Sequence, residues 1–484
     1  MTATARYPAH FESDVVLRSG RTLHIRPVRP DDRERLLAFY SGLSRDSLYM
    51  RFFDIRTPDA ALRDSPTVVD YEGEFGVIGE LGGDMAGIAH YFRSRKYPKM
   101  AEVAFAIADH AQGCGIGTRL LEKLVEIART KGIEMFRAEV LPDNQKMLDV
   151  FLGSGFNVAS RTAEGAVMVS FPIAQTEAAD AAAAERSQKA AYASMKSIFE
   201  PRSIAVIGAS RRRDQLGTEI LQNLRTTGFQ GALYAVNPQA KEIEGVAAFP
   251  SVDAIADPVD LAIIVVRRED VEQVVEDCIR KHVGALVVIT AGFAETGPEG
   301  REVERRLLER VRSAGIRLVG PNCMGVLNTD PRVNMHATFS PIYPRRGNVA
   351  MSSQSGALGL AILDYAAGLN LGFSTFISVG NKADVSGNDL IQYWAEDPNT
   401  DVMLLYLESF GNPRKFGQIA RRVARKKPIV VVKAGRSTGG ARAASSHTGA
   451  LATSDAIVDD LFRQSGVIRT QTLEEMFDIG AVLA

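Results

Sequence analysis

Short β-branched runs recur along the C-terminal part of this chain, at 204–207, 232–236, 261–266, 285–289 and 317–318. Stretches with helical spacing, such as 270–281 and 299–314, lie between them. This alternation is what an open parallel sheet with helices on both faces requires. A second round follows at 348–352, 373–379, 402–407 and 429–432. The expectation is two consecutive doubly wound α/β domains. They split near residue 335, and the stretch 340–347 between the rounds carries two prolines.

Ahead of this region lies 174–189, AQTEAADAAAAERSQK, Ala-rich and charged with no wide apolar face. A solvated helix or a loose tether of this kind separates domains. The expected organisation is therefore an α+β domain at 12–173, a linker at 174–195, and the two doubly wound domains at 196–335 and 336–484. A chain of 484 residues accommodates about three domains. In the first domain, 15–17 and 22–26 read as a hairpin, 30–43 as a helix, and 75–81 with 85–92 as paired strands around Gly82-Gly83. A strand at 102–108 precedes an amphipathic helix at 118–130, with Leu120, Leu121, Leu124, Val125 and Ile127 at helical spacing.

Charge and cysteine usage narrow the function. Lys plus Arg total 57 against 58 acids, a net charge of −1, so no global positive field collects nucleic acid. Cys114, Cys278 and Cys323 form no CxxC pair, which argues against a zinc cage or disulfide framework and fits a reducing cytoplasm. His10, His24, His90, His110, His282 and His336 show no metal-ligand spacing, so no metal is expected. The N-terminus has no apolar signal core, and the apolar runs have strand length, so no membrane is expected either.

One chemical motif lies between the 102–108 strand and the helix after it: Gln112-Gly113-Cys114-Gly115-Ile116-Gly117. Glycines let the backbone turn and approach a ligand, and the helix start offers unpaired N–H groups to an anion. There is no Gly-Lys-Ser/Thr, so this is not a Walker loop, and the ribose-binding acid of a dinucleotide site is missing. The segment AEVAFAIADHAQGCGIGTRLLEKLVEIARTKGI, followed by Asn144 and by GSGF at 153–156, resembles the GNAT acetyltransferases over nearly the whole first domain.

The resemblance implies that amides of Gln112, Gly113, Gly115, Gly117 and Thr118 hold the pyrophosphate of acetyl-CoA. It implies that the strand through Phe105 and Ile107 pairs with the pantetheine arm, and that the segment from Asn144 to Phe151 lies beside the thiol. Glu102 matches the glutamate that bacterial protein-lysine acetyltransferases use as base. Phe151 stands where many members have a Tyr that protonates the departing thiolate; a phenyl ring cannot do so. A water serves, or CoA leaves as thiolate.

A second constellation lies in the doubly wound region. IAVIGAS at 204–210, YAVNP at 234–238 and GPNC at 320–323 end strands at one edge of the sheet, where ligands of such sheets bind. The first is not GxGxxG, so NAD is a poor fit. With VVITAGFAE, LVGPNCMGVLNT, MSSQSGALG, SVGNKADVSGNDL, LYLES, VVKAGRS and SSHTGALA, these strings resemble the α-type half of NDP-forming acyl-CoA synthetases, relatives of succinyl-CoA synthetase, from about residue 196 onward.

This second resemblance implies a Rossmann-like CoA-binding domain followed by a flavodoxin-like domain, with CoA contacts from Gly208, Ala209, Ser210, Asn237, Pro238, Asn322 and Cys323. His447 matches the transiently phosphorylated histidine and Glu408 the carboxylate that orients its ring. Ser353, Ser355 and Gly356 are the expected phosphate-binding group. Complete synthetases also need an ATP-grasp module, which this sequence does not include, so ATP or ADP is expected only through that part, supplied by a partner polypeptide or by a longer chain of which this is a fragment.

The sequence thus points to transfer of acetyl from acetyl-CoA to an amine, a protein lysine or a small molecule, by a domain fused to a CoA-binding synthetase-like module. A homo-oligomer is expected. Two alternatives stand: an α-type subunit of an ADP-forming acyl-CoA ligase, favoured by the retained His447, and a non-catalytic sensor of CoA metabolites.

Overall fold

The structure, a computed structural model, describes residues 6–54, 56–63, 70–163, 165–212, 214–409, 412–434 and 455–484. The chain divides into two compact units, Met1–Ala190 with Arg312–Gly315, and Ala191–Val311 with Ile316–Ala484.

Among the described residues the first unit is built on eight strands: β1 (Ser13–Val16), β2 (Thr22–Pro27), β3 (Glu74–Leu81), β4 (Asp84–Arg93), β5 (Met100–Ile107), β6 (Met135–Val140), β7 (Ala159–Ala163) and β8 (Ala166–Pro172). Their order across the sheet is β1-β2-β3-β4-β5-β6-β8-β7. Every neighbouring pair is antiparallel except β5 and β6. The expected 75–81/85–92 hairpin is present, and Gly82 and Gly83 close it at φ +69° and +88°, a left-handed geometry that favours glycine.

The parallel β5–β6 pair is what opens the site. Its register covers Met100/Met135, Ala101/Phe136 and Glu102/Arg137 and then stops. Past Glu102 the two strands part, while β5 stays paired to β4 as far as Ile107. Helices α1 (Arg33–Ser41), α2 (Arg45–Phe52), α3 (Pro58–Arg63), α4 (Ile116–Thr130) and α5 (Gln145–Leu152) pack around the sheet. The long one, α4, buries Leu120, Leu121, Leu124, Val125 and Ile127, the stripe its spacing predicts.

The expected helix at 30–43 begins as a 3-10 turn at Pro30–Asp32, because Asp32 turns back to bind the buried Arg26 guanidinium at 2.6 and 2.7 Å. Residues of the expected linker fall in one helix, α6 (Glu177–Phe199). Its end is not solvated: Met195, Ile198 and Phe199 join the core of the second unit.

Among the described residues the second unit holds two seven-stranded sheets. The first comprises β9 (Ser203–Ile207), β10 (Ala232–Val236), β11 (Glu242–Ile243), β12 (Val246–Phe249), β13 (Leu261–Ile264), β14 (Ala285–Val288) and β15 (Arg317–Val319). Helices α7 (Leu216–Thr227), α8 (Arg268–Arg280) and α9 (Pro298–Ser313) alternate with them. Strand order is β11-β12-β10-β9-β13-β14-β15, so the winding reverses between β9 and β13.

The second sheet comprises β16 (Gly325–Asn328), β17 (Met335–Thr338), β18 (Arg346–Ser353), β19 (Phe373–Ser378), β20 (Val402–Leu407), β21 (Ile429–Lys433) and β22 (Ile468–Thr470). With it go α10 (Gly356–Gly368), α11 (Gly387–Glu396), α12 (Pro413–Val423), α13 (Asp455–Ser465) and α14 (Leu473–Leu483). The order β17-β16-β19-β18-β20-β21-β22 reverses between β18 and β20. This sheet starts at Gly325, ahead of residue 335, because β16 and β17 pair antiparallel onto its edge beside β19. Ligands of open α/β sheets bind at the carboxyl ends of strands where the order reverses. Each sheet therefore offers one such crevice.

Candidate functional site

In the first unit the parting of β5 and β6 opens a cavity of about 1300 Å³. Glu102, Phe105, Ile107, Gln112, Gly113, Gly115, Gly117, Thr118 and Asn144 all line it, so the structure brings the first group of sequence-expected residues together. Glu102 stands at the fork, on the last residue pair the two strands share. From there to Ile107, the β5 backbone groups that face away from β4 pair with no strand among the described residues and border the cavity. Such an edge accepts an extended amide chain by strand addition.

At the other end the chain enters α4 through Gly113 and Gly115, with φ of +77° and +88°. Gly115 is the N-cap, and no side chain caps the helix. The first-turn residues Ile116, Gly117 and Thr118 line the cavity, placing the helix's orphan amides and the positive end of its dipole there.

Gln112 acts as a brace. Its Nε2 donates to Ser47 Oγ at 3.1 Å, and its Oε1 accepts from Lys146 Nζ at 2.9 Å. Asp109 adds a second tie to α2, accepting from the Ser44 amide at 2.7 Å and from Ser47 Oγ at 2.5 Å. Asn144 caps α5, its Oδ1 accepting the Met147 amide at 3.2 Å. Phe151 is 1% exposed, edge-on to Phe105 at 5.9 Å and tilted against Phe171 at 5.6 Å. It is a wall of the cavity with no proton to give.

Sequence reasoning missed Arg51. This α2 residue lines the cavity and donates through Nη2 to His90 Nε2 at 3.0 Å. Arg only donates, so Nε2 accepts and the ring is neutral. Burial, with the Arg51 charge adding to it, holds His90 well below its usual range. Burial also works against the Arg51 charge, while Tyr40 and Glu102 work for it. Nothing local in the sequence pairs positions 51 and 90.

The second unit has a cavity of about 610 Å³ lined by Asn322, Cys323, Ser355, Gly356 and Glu408, together with Val265 and Val266 after β13. Glu408 follows β20, and Ser355 follows β18, the two strands that flank the reversal. Ser355 caps α10, accepting the Leu358 amide at 3.4 Å, so the first turn of that helix opens on the cavity. Ser353 is fully buried, its hydroxyl donating to the Ser355 carbonyl at 2.7 Å, and it does not line the cavity.

Cys323 lines the cavity from a buried position and donates to the Val288 carbonyl at 3.3 Å. Burial pushes its thiol up to about 12, so it is not a nucleophile at neutral pH. His447 lies outside the described residues.

Gly208, Ala209, Ser210, Asn237 and Pro238 do not line this cavity. They border the other reversal. Gly208 follows β9 at φ +102°, and a Cβ there would meet the Val265 carbonyl oxygen at 2.1 Å. Asn237 Nδ2 donates to the Ala209 carbonyl at 2.8 Å, tying the loops after β9 and β10 together. The Ser210 amide donates to Thr218 Oγ1 at 3.1 Å, and Pro238 is exposed.

Two further residues beside Glu408 carry no sequence signal beyond their place inside the matched strings. Gln354 accepts the amides of Glu408 and Ser409. Lys382 donates to the Ser409 carbonyl at 2.7 Å and Oγ at 3.0 Å. Burial pushes Lys382 down to about 8, with Glu408 opposing and Lys433 adding to the fall. No helix among the described residues is long and apolar enough to cross a membrane.

Comparison with known proteins assigns each part. Residues 43–156 match the acetyltransferase (GNAT) family, 202–329 the CoA binding domain, and 346–483 the succinyl-CoA ligase like flavodoxin domain. The acetate–CoA ligase [ADP-forming] I of Archaeoglobus fulgidus is 48% identical over 289 residues, covering 60% of this chain and 42% of that protein. The acetyltransferase Pat of Mycolicibacterium smegmatis is 39% identical over 136 residues, covering 28% of this chain and 40% of Pat. A solved structure of the dinucleotide forming acetyl-coenzyme A synthetase 1 of Ca. Korarchaeum cryptofilum, with phosphate and ADP, superposes with a TM-score of 0.57 at 44% identity. It covers 59% of this chain and 61% of that one. The chain thus spans about half the length of the relatives it matches. The chain therefore carries an acetyltransferase (GNAT) family domain in its first unit, and a CoA binding domain followed by a succinyl-CoA ligase like flavodoxin domain in its second.

Proposed function

We propose that the first unit transfers an acetyl group from acetyl-CoA to a primary amine, with a protein lysine as the main acceptor. The observation that carries this is the single cavity that runs from the unpaired β5 edge, with Glu102 at its fork, to the uncapped start of α4. The pyrophosphate lies on the Gln112–Thr118 turn, and the pantetheine amides pair with β5 between Phe105 and Ile107. The thioester then falls near the fork.

Glu102 takes a proton from the acceptor ammonium, directly or through water, and the freed amine attacks the thioester carbonyl. The C–N bond forms, the C–S bond breaks, and CoA leaves as thiolate to be protonated by water, since Phe151 has no proton to offer. One ammonium proton passes to Glu102 and another to bulk water. Glu102→Gln slows transfer about 100-fold or more while acetyl-CoA binding, measured by calorimetry, stays within about twofold. Lost binding with normal turnover of the bound complex overturns the base assignment.

The second unit supports a further reading as an α-type ligase half that binds CoA and carries a phosphoryl group on His447 when an ATP-grasp partner is supplied. The observation in its favour is Glu408, fixed by Gln354 at a strand-order reversal, in one cavity with Asn322, Ser355 and the start of α10. Labelled ATP, acetate, CoA and an ATP-grasp protein are incubated with the parent and with His447→Ala. Acid-labile label in the parent alone supports this reading; label in both, or in neither, overturns it.

A further inference from the structure

The acetyl-transfer cavity contains a carboxylate for which the reaction above has no role. Glu74 on β3 pairs directly with Phe92 on β4, and Phe92 pairs directly with Glu102 on β5. Direct cross-strand partners share a face, so carboxylate, ring and carboxylate stand in a row, and all three line the cavity. The outer two are separated by two strand spacings, about 10 Å at Cα. That span fits one ammonium group above the ring, within reach of both carboxylates.

Glu74 is half-buried, and no ion pair engages it among the described residues. The like charge of Asp70 is the one that acts on it, and it adds to the burial that lifts Glu74 to about 6. Asp70 Oδ1 is itself occupied by the amides of Glu72, Gly73 and Glu74, each at 2.8 Å. A half-buried carboxylate with no counter-ion is unfavourable until a ligand supplies a cation. Phe92 is 37% exposed although it lies between buried strands, and His90 braces it edge-on at 4.8 Å. Its open π face attracts a cation, and a neutral hydroxyl or amide gains nothing comparable there.

We propose that Glu74 and Phe92 form the acceptor-ammonium site: an aliphatic ammonium lies over the Phe92 ring, held by Glu74 on one side and presented to Glu102 on the other. This selects an acceptor that carries an alkylammonium group. It rests on the acetyltransferase reading above and adds a residue that selects the acceptor's charge.

The test uses the whole chain, acetyl-CoA and Nα-acetyl-lysine amide, following CoA release. Glu74→Gln should raise the acceptor KM about tenfold, with kcat and the acetyl-CoA KM within about threefold of the parent. Phe92→Leu should raise the acceptor KM about threefold, and Glu74→Asp should recover most of the loss. An acceptor KM within twofold of the parent for Glu74→Gln, or an acetyl-CoA KM rising in step with it, overturns the inference alone. A parent that binds acetyl-CoA yet transfers to no primary amine overturns the acetyltransferase reading and the inference with it.

Discussion

Gln354 reaches across the carboxyl edge of the C-terminal sheet to Glu408, its Oε1 accepting the Glu408 amide at 2.9 Å. The same oxygen accepts the Ser409 amide at 3.0 Å, and Nε2 donates to Ser409 Oγ at 3.0 Å. Gln354 is 5% exposed, so all of this happens away from water. One side chain from the strand before the crevice thereby fixes the backbone of the carboxylate on the strand after it.

Gln354→Leu keeps the bulk and removes the acceptor, leaving two amides without a partner. Each such group costs about 1–3 kcal/mol. Urea unfolding of the second unit should show a loss on the order of 2–4 kcal/mol. A loss under about 0.5 kcal/mol would mean that water replaces the amide.

Two glycines with the same sign of φ separate backbone strain from steric exclusion. A Cβ on Gly208 would lie 2.1 Å from the Val265 carbonyl oxygen, whereas one on Gly113 would meet nothing within 4 Å. Gly208→Ala must displace the loop between the strands that flank the first reversal. It should destabilise the second unit by about 3 kcal/mol or more and abolish CoA uptake there. Gly113→Ala costs about 1 kcal/mol of backbone strain and weakens acetyl-CoA binding by the first unit without unfolding it. Calorimetry and thermal melts on both variants read the difference.

Thiol reactivity should follow burial rather than position in a motif. Burial pushes both Cys278 and Cys323 up to about 12, and both are buried, while Cys114 in the glycine turn is half-buried. In native protein a disulfide reagent should label Cys114 first, with the other two reacting only after denaturant is added. Rapid native labelling of Cys323, mapped by peptide mass, would contradict the buried placement.

These contrasts indicate what could be read in the sequence. The Gln112–Gly117 turn was legible because a helix start preceded by left-handed positions demands glycine locally. The alternating strands were legible because a sheet buried on both faces needs continuous β-branched runs. Glu102 could be named only through resemblance, since its place at the fork depends on where β5 and β6 stop pairing. Glu74 was invisible, because its position follows from the register of three strands. Helix α2 buries only Leu48 and shows no apolar stripe, yet it delivers Arg51 and Ser47 to the cavity. Ser353 lies in the expected phosphate loop, but strand alternation turns its hydroxyl inward to the Ser355 carbonyl. β16 and β17 were missed because they pair antiparallel, outside the strand–helix alternation by which the parallel strands are recognised.

His336 makes the second unit sensitive to acid. It lies on β17, is 2% exposed, and packs on Tyr343 at 5.0 Å. Its Nε2 is buried without a hydrogen-bond partner among the described residues, and burial pushes the ring down to about 4. The folded state therefore holds His336 neutral, while the unfolded chain binds a proton near pH 6.5. Below that pH the unfolded state carries more protons, so stability falls as pH falls. The contribution is complete above about pH 6.5 and is lost progressively down to about pH 4, at up to about 1.4 kcal/mol per pH unit, or roughly 3 kcal/mol in all. Asp330, which the Arg332 hydrogen bond holds at about 2 against burial, loses its own contribution only as pH drops below the usual carboxylate range, so it does not blur the window. Urea unfolding at pH 7, 5.5 and 4.5 should show a steep decline for the parent and a shallower one for His336→Phe, which keeps a ring against Tyr343 and cannot take up a proton. Parallel declines for the two proteins would place the acid sensitivity elsewhere.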